Sequence, residues 1–120
     1  MRVLYIDDDE DSRHMLERAL TVLGHHEVML AKDGQGGLNM AVLHRPEIVL
    51  LDISLPDMDG MEAVRQLHAL GMAMPIVVVS GRVLPQEIAL AMEAGTTHYF
   101  TKPIDVAALL KTIAAYQSDA

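Results

Sequence analysis

Two short runs in this chain, Ile48-Val49-Leu50-Leu51 and Ile76-Val77-Val78-Val79, are apolar at every position. A strand with one wet face alternates apolar and polar residues, so an unbroken run marks a strand buried on both faces. Such strands belong to a parallel sheet covered by helices on each side. One polar residue stops each run, Asp52 in the first case and Ser80 in the second. In an open parallel sheet these stops fall at the carboxyl ends of the strands, where ligands bind. Asp52 also opens a turn-rich stretch, Ile53-Ser54-Leu55-Pro56-Asp57-Met58-Asp59-Gly60. A carboxylate in that position is costly unless something pairs with it.

The remaining sequence supplies further strands and helices in alternation. Val3 to Ile6 form a candidate first strand, followed at once by Asp7-Asp8-Asp9-Glu10-Asp11. Met15, Leu16, Ala19, Leu20 and Leu23 then recur at helical spacing as far as Gly24. Glu27 to Ala31 read as a weaker second strand. Gly34 to His44 read as a helix with Leu38, Ala41 and Val42 inward, ended by Arg45-Pro46. Gly60 to Leu70 give a third helix, with Met61, Val64 and Leu67 inward and Gly71 as its stop. Pro85 suits the first turn of a helix that holds Ile88, Ala91 and Met92 and stops at Gly95. Thr97 to Thr101 read as a half-exposed fifth strand. Asp105 caps a last helix carrying Val106, Leu109, Leu110 and Ile113. Five β-α units in 120 residues predict one doubly wound α/β domain over 1–120, with the third and fourth strands central.

Composition narrows the function classes. A net charge of −8 argues against direct nucleic-acid binding or an anionic membrane surface, and suits metal cations or basic partners. No cysteine is present, which removes disulfides, thiolate metal sites and cysteine nucleophiles. No apolar run reaches the ~20 residues of a membrane span, and the start is too short in apolar residues for a signal peptide. A cytoplasmic location is the expectation.

The chemistry collects at the strand ends. The first strand delivers Asp7 and Asp8, the third Asp52, the fourth Ser80 and the fifth Lys102. Helix capping accounts for two or three of the five acids after the first strand; the others exceed that need. Three carboxylates sharing one site call for a counter-charge, and a hard divalent cation such as Mg2+ takes such oxygen ligands together with a phosphate. A lysine adds a point charge for a phosphoryl oxygen, and a serine hydroxyl can donate to another. An aspartate is a competent nucleophile toward phosphorus. These residues together point to phosphoryl transfer onto Asp52.

At these positions the chain resembles the response-regulator receiver domains of two-component signalling. The resemblance rests on Asp7-Asp8, on Leu51-Asp52-Ile53-Ser54-Leu55-Pro56-Asp57-Met58-Asp59-Gly60, on Ser80 and on Lys102-Pro103, and it spans essentially the whole chain. It implies a flavodoxin-like (βα)5 fold with strand order 2-1-3-4-5. It implies that Asp52 accepts a phosphoryl group from the phosphohistidine of a histidine kinase or phosphotransfer protein. It implies that Asp8, Asp52 and the Ser54 carbonyl ligate Mg2+, with Asp7 acting through water, and that Ser80 and Lys102 bind phosphoryl oxygens. Tyr99 matches the aromatic that turns inward when Ser80 moves toward the phosphate, which would control an output domain or protein. The Lys102–Pro103 bond is expected to be cis, and Asp9 to be a cap. Ser54 and Arg82 lie where such domains tune phosphoryl lifetime. Kinases are expected to meet the first helix near Ser12, Arg13, Met15 and Leu16. The protein is expected to assist its own phosphorylation and dephosphorylation without being a turnover enzyme.

Other features of the chain have plainer readings. The six histidines are scattered, and the adjacent His25 and His26 cannot share one face, so no histidine metal site is expected; His98 reads as a surface residue. The nine methionines read as core fillers, with Met72 and Met74 exposed in a loop. The helix from Pro85 has few charges and an apolar outer face including Ala89 or Leu90, of the kind that marks partner sites. Thr96-Thr97-His98 stands where a charged dimer surface would need acids, so that dimer is expected to be absent. A dehalogenase-type phosphatase needs a second aspartate where Ser54 stands. A flavin carrier would set five acids against the flavin phosphate, and a pure interaction scaffold would not need the acids, serine and lysine together. Met1 and the polar stretch Gln117-Ser118-Asp119-Ala120 favour the amino-terminal part of a longer chain without marking a natural stop; a stand-alone regulator stays open.

Overall fold

The computed structural model describes residues 1–117; the last three residues of the polar stretch Gln117–Ala120 lie outside the described residues. Five strands, β1 (Arg2–Ile6), β2 (Glu27–Ala31), β3 (Ile48–Leu51), β4 (Ile76–Ser80) and β5 (His98–Thr101), form one parallel sheet in the order β2-β1-β3-β4-β5. The helices α1 (Glu10–Arg18), α2 (Gly34–His44), α3 (Gly60–Ala69), α4 (Pro85–Glu93) and α5 (Val106–Tyr116) alternate with them. This is the flavodoxin-like order that the family resemblance implies. Every residue of β3 and β4 is buried, as their uninterrupted apolar runs require.

The sheet separates two apolar layers. On one side Val3, Tyr5, Ile48, Leu50, Val77 and Val79 pack with Leu16, Leu20, Leu109 and Ile113 from the first and last helical segments. On the other, Leu4, Ile6, Val49, Leu51 and Ile76 meet Leu38 and Ala41 of α2 and Ala63, Val64 and Leu67 of α3. α4 is held differently: its one fully buried side chain is Ala91, packed with Ile53 and Val78.

The caps follow the sequence. Asp9, Asp33, Asp59 and Asp105 are the N-caps of α1, α2, α3 and α5, each accepting a backbone N–H of the first turn, and Pro85 occupies the first turn of α4. Gly71 has φ of +78°, a left-handed conformation that fits its place as the stop after α3.

Several side chains depart from expectation. Leu23 is exposed rather than inward, because residues Ala19–Leu23 wind as a π-helix, with Gly24 N–H bonded to Ala19 O. The wider turn rotates Leu23 off the stripe that holds Leu16 and Leu20. Val42 is exposed, since the buried stripe of α2 runs through Gly34, Gly37, Leu38 and Ala41 and leaves Val42 past its edge. Met92 is exposed beside Ala91, and Met61 and Ile88 are half-buried. Met72 is buried and Met74 half-buried: the Met72 N–H bonds Leu67 O and draws the loop back onto the core. The other methionines fill gaps around the core, except that Met15 is exposed. The expected apolar face of α4 is present, with Ala89, Leu90 and Met92 exposed and Val83 and Leu84 exposed just before it.

Candidate phosphoacceptor site

The register of the sheet assembles the site. Ile6 pairs with Leu51, so Asp7 and Asp52 leave adjacent strands side by side. Ser80 pairs with Thr101, so Lys102 emerges one residue beyond Ser80 on the neighbouring strand. The Lys102 ammonium reaches across this edge to both carboxylates. Its Nζ lies 2.7 Å from Asp7 Oδ2 and 3.0 Å from Asp52 Oδ2. Asp8 completes the cluster at the exposed rim: one carboxylate oxygen from each of Asp7, Asp8 and Asp52 lies within 4.8 Å of the others. The Lys102–Pro103 peptide is cis.

Asp7 is fully buried and extensively bonded. Its Oδ2 also accepts from the Tyr5 hydroxyl at 2.5 Å, its Oδ1 accepts the Asp9 N–H, and its carbonyl accepts from Arg13 Nη1. Asp52 is nearly buried, and its Oδ1 accepts the Ser54 N–H at 2.9 Å. Burial raises the Asp52 pKa above the ordinary aspartate value, although the Ser54 N–H and Lys102 oppose it. Burial also works against the Lys102 charge, but the hydrogen bonds to Asp7 and Asp52 outweigh it and hold the lysine above its usual value. Burial, reinforced by Asp7, pushes the Tyr5 phenol far above the normal tyrosine range.

Ser80 is fully buried at the end of β4, and its Oγ accepts the Arg82 N–H at 3.1 Å. Among the described residues its hydroxyl makes no hydrogen bond to Asp52 or Lys102, while its carbonyl accepts the Lys102 N–H at 2.8 Å. A Cβ added at Gly81 would meet open space, in keeping with a site open on that side. Tyr99 is half-buried, and its hydroxyl donates to the Arg82 carbonyl at 2.9 Å. Ser54 is exposed, and its Oγ accepts from Arg82 Nε at 3.0 Å. The turn after Asp52 is pinned at both ends. Asp57 accepts the N–H groups of Gly34 and Gln35 at the start of α2, and Gly60 N–H bonds Ile53 O.

The chain matches the profile of the response regulator receiver domain over residues 3–114. It belongs to the response regulator receiver domain family. It is 38% identical over 115 residues to the response regulator MprA of Mycobacterium leprae, which covers 96% of this chain and 50% of that protein. The chain therefore spans about half the length of the curated relatives it matches. Among solved structures, a CheY-like receiver domain protein from Methanospirillum hungatei is 30% identical, with a TM-score of 0.88 and coverage of 95% of this chain and 90% of that one. The chemotaxis protein CheY4 of Vibrio cholerae is 28% identical, with a TM-score of 0.88 and coverage of 96% and 97%. Receiver domains of this family serve two-component signalling. No helix among the described residues is long and apolar enough to cross a membrane.

Against this family frame, Asp7, Asp8, Asp52 and Lys102 converge directly, whereas Ser80, Ser54 and Tyr99 connect through Arg82. Sequence reasoning missed Tyr5. Its signal was available: residues two apart on a strand share a face, so Tyr5 and Asp7 point the same way. It also missed the Asp57 bridge to α2 and the Arg13 bond to the Asp7 carbonyl, which depend on how loops close. His98, expected at the surface, is half-buried with its Nε2 3.0 Å from the Tyr116 hydroxyl, because α5 covers that side of β5. His26 is buried against the amino-terminal amine, while the adjacent His25 is exposed.

Proposed function

We propose that Asp52 accepts a phosphoryl group from the phosphohistidine of a histidine kinase or phosphotransfer protein. The observation that carries this reading is a nearly buried carboxylate with an ammonium at 3.0 Å and two further carboxylates at the same sheet edge. An Asp52 carboxylate oxygen attacks phosphorus and forms the O–P bond. The P–N bond to the donor imidazole breaks, and its electron pair stays on the imidazole nitrogen, which takes up a proton. Lys102 and Ser80 bind the phosphoryl oxygens, with Lys102 losing its hold on the Asp52 carboxylate as that group becomes a mixed anhydride. Hydrolysis by water of the acyl phosphate resets the domain.

The donor set fits Mg2+. Three carboxylates face one lysine, all are hard oxygen ligands, and one of them lies at the exposed rim. Asp8, Asp52 and the Ser54 carbonyl would hold the ion, with Asp7 acting through water. The bound ion supplies charge neutralisation for the transferring phosphoryl group. The described residues act as one receiver module whose Ser80 and Tyr99 report the state of Asp52 to the α4–β5–α5 face. That face controls an output domain or protein, without direct nucleic-acid or membrane contact by the receiver itself, in the cytoplasm. The kinase meets α1, where Met15 is exposed and Leu16 is buried.

Intact-protein mass after incubation with Mg2+ and a small acyl-phosphate donor tests the reading. A metal-dependent gain of one phosphoryl group, lost in Asp52→Asn, is the expected result. No gain, together with no beryllofluoride-induced change at Ser80 and Tyr99, would overturn it in favour of an interaction scaffold.

A further inference from the structure

Arg82 stands where four elements of the site meet. Its backbone N–H donates to Ser80 Oγ, and its carbonyl accepts from the Tyr99 hydroxyl. Both proposed switch residues therefore hold the backbone of one residue, through the peptide groups on either side of its Cα. Its side chain crosses to the turn after Asp52, where Nε donates to Ser54 Oγ at 3.0 Å.

A second acceptor competes for that side chain. Glu87, in the first turn of α4, has its Oε2 at 3.9 Å from the same Nε, an ion-pair distance too long for a hydrogen bond. That oxygen is shut off from solvent and has no hydrogen-bond partner among the described residues. The Nε carries one hydrogen and directs it to Ser54 here, which leaves Glu87 Oε2 without it. A buried carboxylate oxygen without a donor is unfavourable, and a displacement of about one ångström would satisfy it.

We infer that Arg82 is a two-position positioning residue, bonded to Ser54 in the resting domain and to Glu87 of α4 once Asp52 carries a phosphoryl group. The inference rests on the reading of Asp52 as the phosphoacceptor. Ser80, on turning toward the phosphoryl oxygens, withdraws the acceptor of the Arg82 N–H and frees the segment between β4 and α4. The guanidinium then leaves the Asp52 turn for α4, and the displaced carbonyl no longer holds Tyr99 outward. Arg82 thus links the chemistry at Asp52 to a helix that has one fully buried side chain holding it.

The test uses the whole chain with Mg2+ and beryllofluoride, a phosphoryl mimic, followed by NMR. The fluorine signal reports loading at Asp52, and the Nε–H resonance of Arg82 reports its partner. On loading, that resonance shifts, and the shift is lost in Glu87→Gln while loading persists. Ser54→Ala, which keeps the backbone carbonyl, tightens beryllofluoride binding about two- to fivefold, and Glu87→Gln weakens it by a similar factor. Neither substitution has an effect in an Arg82→Ala background. Loading with an unmoved Arg82 resonance overturns the inference alone, as do effects of the same sign or effects that persist without Arg82. Absence of loading overturns the Asp52 reading and this inference with it.

Discussion

The Tyr5 hydroxyl donates a 2.5 Å hydrogen bond to Asp7 Oδ2, the oxygen that also receives Lys102. Both tyrosine and aspartate are fully buried, so this bond replaces water at a charged group. Tyr5→Phe removes it with little change in shape and leaves the carboxylate one donor short. A loss of about 1.5–3 kcal/mol in urea unfolding is expected, in the range for hydrogen bonds to charged groups. A change indistinguishable from zero would mean that solvent or Lys102 takes over the missing donor.

Asp52 should make the fold less stable at neutral pH than a neutral residue would. Its folded-state pKa lies above the unfolded value, chiefly through burial, so ionisation disfavours the folded state. The native domain is penalised increasingly as pH rises from the ordinary aspartate value through the raised one, and the penalty is then constant. Asp52→Asn should therefore unfold at higher urea than wild type at pH near 7. The advantage should shrink as pH falls through the raised value and vanish below the ordinary aspartate pKa of about 4. Lys102 acts in the opposite sense. Its raised pKa stabilises the fold fully below the ordinary lysine value, and this is lost as pH rises through the folded one. An Asn variant less stable than wild type at neutral pH would show that the Lys102 pairing outweighs the burial of Asp52.

Asp57 ties the turn after Asp52 to a different helix. The N–H groups of Gln35 and Gly34 hold its carboxyl below the usual aspartate range. A lowered carboxylate pKa stabilises the fold above the ordinary value, and the contribution is lost as pH falls through the folded one. Asp57→Ala should speed amide hydrogen exchange at Gly34 and Gln35 by about tenfold or more while amides of β3 stay protected. Unchanged exchange at both positions would show that the start of α2 is held by Asp33 alone.

Gly60 begins α3 against the backbone of the same turn. A Cβ placed there would lie 2.4 Å from Ile53 Cα, which has no freedom to rotate away. Gly60→Ala should cost about 1–3 kcal/mol, as expected for overpacking against backbone. A neutral effect in thermal or urea unfolding would mean that α3 can slide outward freely.

The sheet was legible because burial on both faces leaves an unmistakable mark: β3 and β4 contain no polar residue before Asp52 and Ser80. The order of the strands came from family resemblance, since alternation alone does not say which strand neighbours which. Asp7, Asp8, Asp52 and Lys102 were legible because strand ends in a parallel sheet share one edge. The exposure of Leu23 was not legible because apolar spacing cannot reveal a π-turn, which depends on one backbone bond from Gly24. Met72 was misread because a loop's polarity says nothing about whether it folds back. Arg82 was placed near the site by position, but its partners lie on three other segments and no local pattern encodes them.

α4 rests on the sheet through one fully buried side chain, that of Ala91, while Leu90 and Met92 face outward. An alanine contributes little burial compared with the leucines and isoleucines that anchor α1 and α5. A helix held this lightly works as a two-way coupling. If loading of Asp52 moves α4, as proposed, any ligand of its outer face that favours one of two positions must shift the equilibrium loading of Asp52 by the same factor that loading shifts the ligand's affinity. On the proposed reading, a partner on that face would alter how fully Asp52 is loaded at equilibrium simply by being present.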